Sequence, residues 1–209
     1  MASEPGRSGL LMDWGGVMTT NLFESFAAFC VAEKLAPETV RNAFRSDPVS
    51  RRLLEDFECG RLADPDFETQ FGSVLGVAEP AGLIGRMFGG MGLDEQMRDA
   101  VASFRAAGIK TGLLSNSWGA RNYDFDLLAE LFDVLVISGD LGVRKPEQEI
   151  YDIAVERMGL PASELVFVDD LPGNLKPARA MGVHTIVHTD PATTIAALEE
   201  VLGAPTAAG

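Results

Sequence analysis

From residue 92 onward, short apolar runs alternate with stretches of helical spacing, and this alternation leaves few architectures open. The runs are Lys110 to Leu114, Asp133 to Ser138 (with Val134, Leu135, Val136 and Ile137 consecutive), Leu165 to Val168 and His184 to Val187. Unbroken apolar runs this short suit strands buried on both faces. Around them Asp94 to Ala107, Arg121 to Leu131, Glu147 to Met158, Asn174 to Met181 and Thr193 to Leu202 read as helices, the first stopped by Gly108. Gly9 to Met12 is an earlier strand. Repeated strand–helix units predict an α/β chain with a parallel sheet, right-handed crossovers and helices on both faces.

Between the first strand and this alternation lies a run with no strand pattern, from Asn21 to about Gly90. Leu22, Phe23, Phe26, Phe29 and Cys30 recur at helical spacing behind Asn21, a suitable N-cap. Pro37, Pro48 and Pro65 each stand near the start of a further helix, where proline is tolerated. Gly89-Gly90-Met91-Gly92 closes the run and reads as a hinge.

The bulk properties exclude some partners. The formal net charge of the 209 residues is -14, which repels phosphate backbones and anionic lipid, so neither nucleic acid nor membrane is expected as a partner. No apolar run approaches the roughly 20 residues that span a bilayer, and the polar start Met1 to Gly9 carries no secretory signal. Cys30 and Cys59 belong to no metal-binding spacing and read as free thiols; together these features predict a cytoplasmic protein. The stretch after Leu202 is low in complexity and reads as a frayed tail.

In a parallel α/β sheet the ligand sits beyond the carboxyl ends of the strands. Those positions hold Asp13, Ser115-Asn116, Lys145 and Asp169-Asp170. Three carboxylates aimed at one edge repel one another, and a divalent cation bound by hard oxygens, magnesium above all, relieves that repulsion. A carboxylate also acts as a nucleophile toward phosphorus once the phosphate charge is neutralised. Magnesium and Lys145 do this from two sides, while Ser115 and the backbone N–H groups after Asp13 bind the phosphoryl oxygens. Gly15 and Gly16 allow the close backbone approach that a phosphate-cradling turn requires.

The order Asp-x-x-Gly-Val (Asp13 to Val17), strand-Ser-Asn (Ser115, Asn116), Arg-Lys-Pro (Arg144 to Pro146) and Asp-Asp-x-x-x-Asn (Asp169 to Asn174) resembles the four motifs of the haloacid-dehalogenase-like hydrolases. Val143 to Glu147, Ile150-Tyr151 and Asn174 to Arg179 are most similar to the subgroup that includes the phosphatase domain of soluble epoxide hydrolase. The resemblance implies a Rossmann-like core, residues 1–20 and 91–209, with a small all-helical cap inserted at 21–90. It implies a Mg2+-dependent phosphatase acting on a small phosphorylated metabolite through an aspartyl-phosphate. Asp13 is then nucleophile and metal ligand, with the Gly15 carbonyl, Asp169 and Asp170 completing the metal site. Ser115 and Lys145 bind phosphate, and Asn116 and Asn174 position the loops. Gly16 belongs to the phosphate-cradling turn, while Trp14 and Trp118, which follow motif residues, read either as lining the substrate pocket or as packing.

At one position the chain departs from the family pattern. Phosphatases of this family carry a second Asp two residues after the nucleophile, which protonates the leaving group; here Gly15 stands there. Two further readings therefore stay open, a non-catalytic protein that keeps the fold and a metal-free haloacid dehalogenase, although Asp169-Asp170 argues against the latter. His184 and His188 match no motif and read as packing or surface residues. No motif fixes the substrate or the oligomeric state.

Overall fold

A computed structural model describes residues 6–119 and 123–204. Five strands form one sheet: β1 (Gly9–Met12), β2 (Lys110–Ser115), β3 (Val134–Ile137), β4 (Leu165–Asp169) and β5 (His184–Val187), in the order β3-β2-β1-β4-β5. Every pairing is parallel.

Side chains alternate across the central strand. Leu10 and Met12 join Leu113, Val166 and Val168 on one face, while Leu11 joins Leu114, Val136 and Phe167 on the other. Helices α6 (Glu95–Ala106), α7 (Phe125–Leu131) and α11 (Pro191–Leu202) cover the first face with Met97, Leu128 and Leu198. Helices α9 (Gln148–Met158) and α10 (Pro172–Ala180) cover the second with Ile150 and Leu175. Each such apolar side chain taken out of water stabilises the fold by about 1.5–3 kcal/mol.

Most element boundaries follow the sequence pattern, and the differences have local causes. Strand β3 is an edge strand, so Val134 and Leu135 are only half-buried rather than enclosed on both faces. It ends at Ile137 because Ser138 opens a short helical turn, α8 (Ser138–Leu141). Helix α10 starts earlier than expected, at Pro172, and α11 at Pro191 behind the Asp190 cap, because proline suits the first helical turn. Helix α7 begins at Phe125, where the Asp124 carboxylate accepts from the Asp126 and Leu127 amides. The expected start of that helix at Arg121 and Asn122 lies outside the described residues, as does the tail from Pro205.

Between β1 and α6 the chain forms five helices: α1 (Leu22–Ala32), α2 (Thr39–Ser46), α3 (Pro48–Glu58), α4 (Asp64–Leu75) and α5 (Leu83–Phe88). They enclose a core of their own around Phe26, Phe57, Phe67, Phe71 and Met87. Asn21 caps α1 through the Phe23 amide, and Asp47 caps α3 through the Ser50 amide. Two chain segments connect this bundle to the sheet, and they are paired. The Thr20 amide donates to the Gly92 carbonyl at 2.8 Å, the Gly92 amide donates to Thr20 Oγ1 at 3.1 Å, and Thr19 and Leu93 form an antiparallel bridge.

Candidate active site

The chain runs from β1 to β2 and β3 on one side and then returns to β4 on the other, so the sheet changes direction between β1 and β4. A crevice opens beyond the carboxyl ends of the strands at such a point. Asp13 follows β1, and Asp169 and Asp170 stand at the end of β4.

Carboxylate oxygens of Asp13, Asp169 and Asp170 all lie within 4.8 Å of one another. Lys145 Nζ sits 2.7 Å from Asp13 Oδ1 and 2.7 Å from Asp169 Oδ2, and the lysine is 1% exposed. Three acids and one lysine leave a formal charge of -2 (-3 plus 1) in a largely water-free place. The acids respond accordingly. Burial drives the Asp13 carboxyl well above the usual carboxylate range, against the pull of Lys145 and with the push of Asp169. Burial, followed by the charge of Asp169, lifts Asp170 to about 6. Such a group of hard oxygen donors fits a divalent cation of the magnesium type, which would bring the cluster to neutrality.

The remaining motif residues hold this cluster in place. Asn174 Nδ2 donates to both oxygens of Asp169 at 3.1 Å, and the Leu171 amide donates to Asp169 Oδ1 at 2.8 Å. Asn116 fixes the backbone of Lys145, its Oδ1 accepting from the Lys145 amide at 2.8 Å and its Nδ2 donating to the Lys145 carbonyl at 3.1 Å. The Trp14 amide donates to Asp13 Oδ1 at 2.7 Å. Gly16 has φ +76, and a Cβ there would meet Asp170 Oδ2 at 2.9 Å, so only glycine fits. Gly15 differs: its φ is not left-handed, and a Cβ there would meet nothing within 4 Å.

Sequence reasoning missed two side chains in this region. Ser115 Oγ lies 2.8 Å from the Tyr123 hydroxyl, and the Tyr123 ring sits 6.0 Å from that of Trp14. Glu58, the last residue of α3, is buried against Asn116 and Arg144. No motif contains either residue. The two histidines stay outside the site, with His188 Nδ1 2.9 Å from Thr194 Oγ1.

Above the cluster is a cavity of about 610 Å³, the size of a small-molecule site. Its floor includes Asp13, Gly15, Ser115, Asn116, Lys145, Asp170 and Asn174; its apolar wall includes Trp14, Phe23, Phe26, Phe44, Phe88 and Trp118. Trp118, two residues beyond Asn116, enters the aromatic core of the bundle, 5.0 Å from Phe88 and 5.8 Å from both Phe26 and Phe44. It therefore both lines the cavity and packs.

Residues 9–182 match the family described as haloacid dehalogenase-like hydrolase. The chain belongs to that family. Among curated relatives of this haloacid dehalogenase-like hydrolase, Bifunctional epoxide hydrolase 2 of Rattus norvegicus is 35% identical over 118 residues, 53% of this chain and 21% of that protein. Sesquiterpene phosphatase astK of Aspergillus oryzae is 29% identical over 163 residues, 74% of this chain and 82% of that protein. The chain spans only 10% to 21% of the length of the first curated relatives it matches. A HAD family enzyme of Bacteroides thetaiotaomicron, solved in complex with magnesium and inorganic phosphate, shares the fold with a TM-score of 0.66, 21% identity, and coverage of 88% of this chain and 95% of that one. Among the described residues no helix is long and apolar enough to cross a membrane.

Proposed function

We propose that this hydrolase is a magnesium-dependent phosphatase acting on a small phosphoester with an apolar body. The observation that carries the reading is the buried cluster of Asp13, Asp169, Asp170 and Lys145, whose deficit of two positive charges matches one divalent cation. Magnesium held by Asp13, Asp169, Asp170 and the Gly15 carbonyl would supply positive charge to the phosphoryl oxygens. The solved relative containing magnesium and phosphate and the relative named as a sesquiterpene phosphatase support this choice of chemistry. Metal-free dehalogenation would leave the charge of Asp170 uncompensated.

In this reading Asp13 attacks phosphorus and forms the aspartyl-phosphate, and water then attacks the same phosphorus and releases phosphate. Lys145 offsets charge on Asp13 and on the phosphoryl group, Ser115 donates to a phosphoryl oxygen, and Asn116 and Asn174 hold Lys145 and Asp169 in place. The bundle of residues 21–90 acts as a cap, and its paired connecting segments beside Gly89, Gly90 and Gly92 form the hinge. The aromatic wall, with Trp14 and Trp118, favours an aliphatic or aromatic substrate body over a bare sugar, because little in it would satisfy many hydroxyl groups.

Asp13→Asn tests the reading. The amide is nearly isosteric but is no nucleophile. Turnover of phosphoesters with magnesium present is expected to vanish while the folded circular dichroism spectrum is kept. Wild-type turnover in the variant, or wild-type turnover that persists in excess chelator, refutes it.

A further inference from the structure

Glycine at position 15 leaves the nucleophile's own loop without an acid, so the proton for the leaving group must come from elsewhere. Among the described residues lining the cavity, the carboxylates are Asp13, Asp170, Asp124 and Glu58. Asp13 and Asp170 are committed to the metal cluster, and Asp124 is exposed and caps α7. We infer that Glu58, carried by the helical bundle, is the catalytic acid–base residue of this site.

The Glu58 side chain is 6% exposed and reaches across from the bundle to the core. Its Oε2 accepts from Asn116 Nδ2 at 3.2 Å and lies 2.8 Å from Arg144 Nε. Its backbone is equally fixed. The Glu58 carbonyl accepts from Ser138 Oγ, which in turn accepts from the Ser117 amide. Two residues on, Gly60 packs so closely that a Cβ would lie 2.4 Å from the Gly139 carbonyl oxygen. The carboxyl is thus held by Asn116 and Arg144 on the wall of the same cavity that Asp13 and Ser115 line.

The electrostatics fit the role. Burial raises the Glu58 carboxyl to about 7, with Arg144, then Lys145 and the Asn116 hydrogen bond opposing and Glu55 reinforcing; the Tyr123 phenol also feels its charge. A carboxyl that titrates near neutrality both gives and takes a proton. As an Asp13 oxygen bonds to phosphorus, the bond from phosphorus to the ester oxygen breaks and its electron pair stays on that oxygen. The Glu58 proton moves there, directly or through one water, leaving alcohol, aspartyl-phosphate and the Glu58 carboxylate. In the second step that carboxylate takes the proton of the attacking water, and the bond from phosphorus to Asp13 breaks. Phosphate leaves, with Asp13 and the Glu58 acid restored.

The inference rests on the phosphatase reading, and the test separates the two. p-Nitrophenyl phosphate, whose leaving group is stable as an anion, is compared with n-octyl phosphate, whose leaving group needs a proton. Glu58→Gln, which preserves shape and hydrogen-bonding reach, is expected to lower the single-turnover rate of leaving-group release about 100-fold or more for the alkyl ester and less than about 10-fold for the aryl ester, while slowing the later hydrolysis of the aspartyl-phosphate for both alike. Gly15→Asp in the Glu58→Gln background should restore alkyl turnover, since the backbone and the space at residue 15 admit the side chain. In the wild type, alkyl turnover should fall above about pH 7 while aryl turnover does not. Equal losses in the rate of leaving-group release for both esters, or a pH profile of that step shared by both, overturn the role of Glu58 and leave the phosphatase reading standing. A wild type that hydrolyses neither ester with magnesium present overturns both.

Discussion

Replacing Lys145 with methionine removes the one cation of the buried cluster while keeping a side chain of similar length. Lys145 Nζ is 2.7 Å from each of two carboxylates, and the residue is 1% exposed. Deleting one partner of a buried ion pair costs about 3–5 kcal/mol, because the charge left behind has no counterion. Here two partners lose it together, and the formal charge of the cluster goes from -2 to -3. For a chain of this size that loss corresponds to a melting temperature roughly 6–20 °C lower. The carboxylates can escape part of the cost by taking up a proton. Asp13 already sits well above its ordinary range with the lysine present, and it rises further without it. A carboxyl whose folded pKa is raised binds more protons folded than unfolded, so stability increases as pH falls toward the unfolded value. The defect should therefore be larger at about pH 7.5 than at about pH 5.5, because Asp13 of the variant takes up its proton at higher pH than Asp13 of the wild type. Urea denaturation in chelator, followed by circular dichroism at both pH values, measures it. A loss below about 1 kcal/mol at the higher pH, or one that does not shrink on acidification, shows that Lys145 is not the counterion of Asp13 and Asp169.

Two further predictions concern the metal site. Gly16→Ala should lose most of its magnesium affinity and about 1 kcal/mol or more of stability, because φ +76 strains alanine and its Cβ meets Asp170 Oδ2 at 2.9 Å; calorimetric titration and thermal denaturation read both, and wild-type values for both refute the steric argument. Protons compete with the metal for Asp170, whose carboxyl burial lifts to about 6, so apparent magnesium affinity should fall as pH drops through about 6. An affinity unchanged across that range shows that Asp170 is not a ligand.

The sheet and the acids at its edge were legible because they depend on local signals. Leu10-Leu11-Met12 reads as a strand without any neighbour, and the position after a parallel strand is the ligand edge in every sheet of this class. Asn174 was legible as a positioning residue, and its two bonds to Asp169 are formed within one strand–helix turn. Glu58 carried no such signal. A glutamate at the end of an amphipathic helix ordinarily faces water, and here its partners are Asn116, 58 positions away, and Arg144. Tyr123 was hidden likewise, because its partner Ser115 is expected to face phosphate rather than a phenol. The half-burial of β3 was misread because consecutive apolar residues do not reveal whether a strand is central or at an edge.

Glycine at position 15 can be understood by separating what the backbone requires from what the cavity requires. At Gly16 the left-handed φ and the nearby Asp170 carboxylate strain any other residue. At Gly15 neither restriction applies, so steric need does not explain the glycine. What the missing side chain does is leave open space beside Asp13, in the cavity that Phe26, Phe88 and Trp118 also line. An aspartate there would add a further negative charge to a loop beside a cluster already at -2, and would fill room that an apolar substrate body can use. Under the proposed role of Glu58 the proton donor stands on the bundle beside Arg144 instead, which avoids both effects. Through Asn116 and Arg144, Glu58 also joins α3 of the bundle to the core.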